Sequence, residues 1–352
     1  MSRPTTKMRT RRPTQADVAQ IAGVSSAVVS SVLNKSSQSS IRVSAETRAR
    51  VIEAMRTLGY SPNPIARSLV DGRRNLLGVF TSDQVFPTDR RSFFYPFLYG
   101  IERGAEEVGF DLLLYTSGAG ETGARKIFRD GHNRLGIADG SILLGLRPDR
   151  DELRTLARQG YPHIILGRRE VEGVELNWVG ADYQGGANSV VSHLAELGHR
   201  CIGYLGEPQP REPQIDREAG YRSVLAQHGL TDIGVHRVAA AEDIGTAVND
   251  LRLKGATAIV SETVELAVEA ESILARAGLH VPRDISIAVF GEPFFQEPDH
   301  GRWTRFSIPR EEMGRRAVKL LVELLDETPE QVVQETLACT FQPGVTTQPP
   351  PK

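Results

Sequence analysis
The residues of this 352-residue chain best placed to do chemistry are small hydroxyls and amides set among cations. From Thr14 to Asn34 it reads T-Q-A-D-V-A-Q-I-A-G-V-S-S-A-V-V-S-S-V-L-N. After Ser25, helical spacing puts Val28, Val29, Val32 and Leu33 on one side and Ser26, Ala27, Ser30, Ser31 and Asn34 on the other. A helix with an apolar back and short polar side chains in front suits a DNA major groove, where base edges present donors and acceptors. Periodicity alone leaves a second reading open, an ordinary helical hairpin with a solvated face.

The flanking charge favours DNA. Residues 1–74 hold 13 lysines and arginines against four acids, a balance of +9. The whole chain holds 42 against 44, which leaves −11 for the remainder. Positive charge is therefore concentrated where a phosphate backbone would need it. A basic solvated tail accounts for Arg3 to Arg12, but not for the arginines spread along the helices that follow.

The elements that must hold this face are legible nearby. Thr14 caps a first helix with Asp17 in a capping-box position, and Val18, Ile21 and Ala22 share one face of it. Gly23 supplies the turn and Ser25 caps the second helix. Ser44 caps a third, lined by Val51, Ala54, Met55 and Leu58 and stopped by Gly59. Beyond Tyr60 comes S-P-N-P-I-A-R-S-L-V-D-G, in which Asn63 and Pro64 fit an N-cap and first helical position and Gly72 fits a stop. Two turns of helix are marginal alone in water, so this segment is either a passive linker or a helix that needs a partner.

From Leu76 the pattern changes to short apolar runs alternating with amphipathic stretches: Leu76–Phe80, Asp111–Tyr115, Ser141–Leu144, His163–Leu166, Cys201–Leu205, Ala258–Val260 and Ser286–Phe290. Five of the intervening helices are predicted to end in glycine, at Gly109, Gly160, Gly198, Gly229 and Gly278. Strands alternating with helices indicate parallel βαβ units, and the length is sufficient for two lobes. Loops at the carboxyl ends of such strands are where a small ligand would sit.

Several motifs together resemble the lactose-repressor family of bacterial transcription regulators. They are T-x-x-D-V-A (Thr14 to Ala19), A-G-V-S (Ala22 to Ser25), V-S-x-V-L-N (Val29 to Asn34), V-S-x-x-T-R (Val43 to Arg48) and L-G-Y-x-P-N-x-x-A-R-x-L (Leu58 to Leu69). The similarity continues more loosely to about residue 325. The resemblance implies an all-α helix-turn-helix headpiece (1–60), a hinge helix or linker (61–74) and an α/β two-lobed periplasmic-binding-protein-like domain (75–345). It places the lobe boundary near 175 and the return crossing after 303, and leaves 346–352 as a tail.

On that resemblance, Thr14, Gln15, Ser25, Ser26, Ala27, Ser30, Ser31, Asn34 and Arg42 are the expected headpiece contacts to double-stranded operator DNA. Asn63, Ala66, Arg67 and Leu69 belong to a hinge helix that pairs with its twin and inserts a leucine into the minor groove. Phe93 and Phe94 align with an aromatic pair facing the effector, with core packing as the alternative. Arg217, in D-R-E-A-G-Y, matches an arginine that contacts the ligand, with a solvated surface group as the alternative.

The chain also departs from the family pattern. Thr263-Val264 stands where Asn-Asp is usual, and Val289-Phe290-Gly291-Glu292 where the pattern is G-[FY]-D-[DN]. A site without those groups should reject an ordinary sugar, whose hydroxyls would be buried unpaired; either Thr263, Gly291 or Glu292 then serves another ligand, or the pocket is lost altogether. Ser31 replaces a frequent arginine, so base contacts must be smaller, water-mediated or contributed elsewhere. The loop from Lys35 to Arg42 is longer than the family leads one to expect.

Other chemistries have weak signals. Gly118-Ala-Gly120-Glu-Thr-Gly123 has the G-x-G-x-x-G spacing, but a dinucleotide fingerprint normally follows the first strand of its domain, and Leu76–Phe80 comes earlier. The eight histidines show no metal-ligand spacing; His193 and His199 lie six apart. No Walker sequence or nucleophile elbow occurs. Cys201 and Cys339 fit a reducing cytoplasm rather than a disulfide framework. Neither a signal peptide nor a membrane span is legible. The C-terminal tail has no leucine heptads for a tetramer helix.

The expectation is therefore a cytoplasmic homodimeric regulator, foremost a repressor, with a small-molecule effector, no metal, no cofactor and no enzymatic activity. The alternatives are an effector-independent or activating regulator, a solute-binding protein or a nucleotide-binding protein.

Overall fold
The computed structural model describes residues 13–33, 43–61, 74–83, 91–117, 125–239, 241–292, 300–327 and 331–352. The expected contacts Asn34, Arg42, Asn63, Ala66, Arg67 and Leu69, and the segment Gly118–Gly123, lie outside them. The chain divides into two compact units, Met1–Arg74 and Asn75–Lys352.

In the first unit α1 (Gln15–Ala22), α2 (Ser26–Leu33) and α3 (Ala45–Leu58) enclose a small core of Val18, Val29, Val51 and four alanine or valine neighbours. Local chemistry fixes each end. The Thr14 backbone N–H donates to Asp17 at 2.7 Å, and the Asp17 N–H donates to the Thr14 hydroxyl at 3.4 Å. Ser25 accepts from Val28 N–H at 3.4 Å, and Ser44 from Thr47 N–H at 3.2 Å. Gly23 and Gly59 end α1 and α3 at φ 63° and 61°, a conformation that costs a side-chain-bearing residue energy. The chain turns by 105° between α1 and α2, as a helix-turn-helix does.

The second unit holds two lobes, each with a six-stranded sheet among the described residues. The first lobe takes β1 (Leu76–Thr81), α4 (Arg91–Val108), β2 (Asp111–Tyr115), a small hairpin of β3 (Phe128–Arg129) and β4 (His132–Asn133), then β5 (Gly140–Leu144), α5 (Arg150–Arg158), β6 (His163–Leu166) and β7 (Trp178–Ala181). The second takes α6 (Tyr183–Glu196), β8 (Ile202–Gly206), α7 (Glu212–His228), β9 (Val235–Arg237), α8 (Ala241–Leu253), β10 (Ala258–Ser261), α9 (Val264–Arg276), β11 (Ser286–Val289) and β12 (Thr304–Ser307). Then α10 (Arg310–Asp326) and β13 (Gln334–Leu337) return to the first lobe, and β14 (Thr340–Gln342) ends in the second.

The strand orders are β13-β7-β6-β5-β1-β2 and β14-β12-β11-β10-β8-β9, the same winding twice. Within these two sheets all pairs are parallel except β12 with β14. Because β7 belongs to the first sheet, the chain leaves that lobe at Asp182. Because β12 belongs to the second sheet, it returns after Ser307. W-V-G-A and T-R-F-S are too short and mixed to announce themselves as strands.

Residues 346–348 are no free tail. Ile287 N–H donates to Thr346 O at 2.9 Å, and His199 Nε2 meets Gln348 O at 2.9 Å. The five helix-ending glycines all take positive φ, from 60° to 102°.

Two details of packing position the cleft. Helices α4 and α10 meet at Gly100 and Gly314, where a Cβ would lie 1.9 Å from Glu311 O and 2.3 Å from Phe97 O, so backbone packs on backbone. In the second lobe Tyr204, Tyr221, Phe290 and Phe306 form a fully buried aromatic cluster beneath the strand ends that face the first lobe.

Candidate functional site
Two surfaces carry chemistry. On the headpiece, Thr14, Ser25, Ser26 and Ala27 are exposed, while Gln15 and Ser30 are half-buried. Gln15 Nε2 donates to Ser26 O at 3.3 Å and so ties α1 to the first turn of α2. Arg48 Nη1 donates to Val32 O at 3.4 Å, fastening α3 to the far end of α2. The short polar face is thus held rigid by a helix on either side.

The second surface is the cleft between the lobes, at facing carboxyl ends of parallel strands. A space of ≈ 450 Å³ opens there, lined by Leu146 and Arg147 from the first lobe and by Glu207, Arg211 and Thr263 from the second. Thr263 caps α9, accepting from Leu266 N–H at 3.2 Å.

One rim of the cleft is bridged. Arg150 reaches Glu212 at 2.7 Å, Arg168 reaches Asp216 at 2.6 Å, and Arg211 Nη1 donates to Leu146 O at 2.9 Å. Burial opposes ionisation of Glu212. Backbone N–H donors, among them that of Glu170, and the charges of Arg169 and Arg150 nonetheless hold its pKa below the usual carboxylate range. For Asp216 burial prevails, and its pKa is raised despite Arg168.

Deeper in the second lobe Arg217 is 9% exposed. Its guanidinium lies 4.6 Å from the centre of the Tyr183 ring and 6.0 Å from that of Phe306, and its buried Nε has no acceptor among the described residues. Glu262, at the end of β10, is 2% exposed and accepts from Tyr204 Oη at 2.7 Å, Glu207 N–H at 2.7 Å and Arg237 at 3.2 Å. Burial raises its pKa against those donors. Burial likewise raises Tyr183, opposed by the charges of Arg217, Arg169 and Arg310. The Cys339 thiol is pushed up to about 12 by burial. Among the described residues no cluster of three metal-ligating side chains occurs, and no single helix is long and apolar enough to cross a membrane.

Known proteins are similar to this chain in sequence and fold. Residues 14–63 match the lacI family of bacterial regulatory proteins, and residues 191–347 match a periplasmic binding protein-like domain. The HTH-type transcriptional regulator CelR of Thermobifida fusca is 31% identical over 341 residues, covering 92% of this chain and 95% of its own. The HTH-type transcriptional regulator GalR of Escherichia coli (strain K12) is 29% identical, covering 89% of each. The chain belongs to the lacI family. Among solved structures, the lac repressor dimer bound to operator and the anti-inducer ONPF aligns with TM-score 0.71 at 24% identity over 96% of this chain and 100% of that one, a likeness of fold. The CelR–cellobiose complex aligns with TM-score 0.61 at 26% identity over 95% and 100%.

As a lacI-family transcriptional regulator the chain meets some sequence expectations and corrects others. Ser31 is 8% exposed and does not stand in the outward row. It follows Val28 by three residues and shares the flank that turns inward. Ile21, expected in the core, is 54% exposed, because Val18, Ala19 and Ala22 form the inward row of α1. Phe94 is fully buried in the first-lobe core, so its alternative, core packing, is the one realised. Phe93 lies beneath Arg310, 5.7 Å from its guanidinium. Glu292 is taken up by Arg310 at 2.7 Å and Arg305 at 3.2 Å.

Gly291, at φ 135°, leaves only 3.3 Å between a Cβ there and Arg217 Nη2, so these two expected residues are neighbours. Sequence reasoning passed over Glu262, Arg169 and Tyr183. The available signals were an acid directly after the apolar run A-I-V-S and the pair Arg168-Arg169 directly after H-I-I-L-G.

Proposed function
We propose that the protein is a homodimeric, sequence-specific DNA-binding repressor of the cytoplasm, not an enzyme, whose operator is pseudo-palindromic. Each headpiece reads one half-site, with Ser25, Ser26, Ala27 and Ser30 toward the base edges and Thr14 and Gln15 beside the phosphates. Asn34 and Arg42 add contacts at the groove edge. The hinge residues Asn63, Ala66, Arg67 and Leu69 pair with their twins, and Leu69 enters the minor groove and bends the operator's centre. A small molecule in the interlobe cleft shifts the lobes and with them the ability of the hinges to pair, which requires different affinities for the two states.

The observation that carries this reading is the rigid, exposed Ser25–Ala27 surface of a capped helix set 105° from its support, inside the stretch that matches the lacI family. Selection of bound duplexes from a random pool tests it. The expected result is one short half-site repeated in inverted orientation. Sequences enriched no more than a scrambled pool would refute it. Leu69→Ala is expected to lower affinity for the selected duplex at least tenfold; unchanged affinity removes the hinge role.

A further inference from the structure
Along one side of the cleft the lobes are joined by charges that belong to the chain itself. In α7, Glu212 and Asp216 stand four residues apart and so share one helical face. That face meets the first lobe. Arg150 of α5 donates to Glu212 at 2.7 Å, and the Glu170 N–H donates to the same carboxylate at 3.1 Å. Arg168, just past β6, grips Asp216 with two donors, Nη2 at 2.6 Å and Nε at 3.3 Å. Arg211, the residue before α7, reaches Leu146 O at 2.9 Å.

These contacts differ from ordinary surface pairs. The Glu212 side chain is 5% exposed, so closure takes it almost wholly out of water. The first-lobe arginines are braced before they reach across: Arg168 also bonds the Glu170 carboxylate, and Arg150 the Glu170 carbonyl. A surface pair is worth little partly because two long side chains must first be ordered. Here that ordering is done within the first lobe. Removing one partner of a buried pair leaves a charge that must return to water, so the pairs and the closure stand or fall together.

Two-lobed domains commonly close around a ligand that bridges them. In this chain the bridging groups are residues of its own sequence. We propose that the first turns of α7 form a latch that keeps the cleft closed with no ligand present. This rests on the reading of the cleft as the effector site, and it gives control a starting point. An effector that moves the lobes moves them from the closed position and works against the latch. Arg211 and Leu146 both line the ≈ 450 Å³ space, so a ligand there competes for one of the latch's own bonds.

Hydrogen exchange of the ligand-free full chain tests the latch at the Glu170 amide, whose N–H lies in the first lobe and whose acceptor lies in the second. Slow exchange is expected in the wild type. Asp216→Arg sets like charges against each other across the cleft and is expected to speed that amide at least about tenfold, the loss of one charged hydrogen-bonded pair. The double variant Arg168→Glu with Asp216→Arg re-forms the pair in reverse and should return slow exchange. Asp216→Asn, a milder change, should give a smaller acceleration. Amides of β10 (Ala258–Ser261), inside the second sheet, should stay protected throughout, so that unfolding is not read as opening.

Equal exchange at Glu170 in wild type and Asp216→Arg overturns the latch, as does a double variant no slower than Asp216→Arg alone. Affinity of the same variants for the selected duplex, measured without ligand, separates the latch from the effector reading. Asp216→Arg is expected to change it at least about fivefold, and the double variant to restore it. Faster exchange with unaltered affinity overturns the effector reading and leaves the latch. Unaltered exchange overturns the latch and leaves the effector reading.

Discussion
The headpiece rests on one cluster of seven buried apolar residues, whereas the largest cluster in the two-lobed unit holds 33. A core that small leaves most of the specification to caps, turns and helix spacing, which are written within a few residues of one another. The lobes are specified by parallel strands brought together from distant parts of the chain, so their cleft groups meet only after folding. The headpiece face could therefore be read directly, while the cleft could be read only in part.

The largest expected effect separates the two units. Phe290→Ala removes a fully buried ring packed on Tyr204 and Phe306 and should destabilise the two-lobed unit by about 3–5 kcal/mol. Calorimetry is expected to show its transition moved down and the headpiece transition unmoved; a common shift would mean that the units do not unfold separately. Val51→Ala is the counterpart in the small core, with an expected loss of about 2 kcal/mol. That is a large share of a small domain's stability. Duplex binding should weaken while the lobes melt unchanged, and retention of full binding would show that the Val51 contact is dispensable.

At the cleft rim, Glu212→Gln keeps shape but removes the charge facing Arg150. With Arg150 half exposed, the cost should be only about 1 kcal/mol. Its signature is a larger radius of gyration by small-angle scattering without a change in helix content, and an unchanged radius would make the ion pair incidental to closure.

The smallest effect is a dependence on pH that belongs to one unit alone. All eight histidines lie beyond residue 131, none in the headpiece. Burial pushes His163 and His199 below their ordinary pKa, so both are neutral in the fold and must be charged in the unfolded chain at acid pH. The stability they contribute is complete above the unfolded value, about 6.5, and is lost as pH falls below it. The lobes' melting temperature is expected to drop between about pH 7 and 5. Stability of the lobes that stays flat across that range would count against neutral, buried imidazoles.

Particular residues show what sequence can and cannot express. All seven apolar runs became strands, and all five helix-ending glycines took positive φ, because each signal is local. Edge strands such as Q-E-T-L (Gln334–Leu337) were invisible, since an edge exposed on one side has no need of an apolar run. Ser31 and Ile21 were misplaced because a two-turn helix gives too few residues to fix where its apolar arc ends. Arg217 was legible from its surrounding pattern. That its buried Nε has no acceptor among the described residues was not, because this depends on groups from distant parts of the chain, such as Tyr204 and Arg237 on Glu262 and Arg305 and Arg310 on Glu292.

The claim on which the rest depends is that the basic headpiece grips duplex phosphates while its short side chains read bases. Fluorescence anisotropy of the full chain on the selected duplex and on a scrambled one, across a range of salt, addresses it most directly. The account predicts tighter binding to the selected duplex throughout. It also predicts that affinity falls steeply, by roughly 10³-fold between about 50 and 200 mM salt if some six phosphates are contacted. Equal affinity for both duplexes, or affinity indifferent to salt, would contradict it.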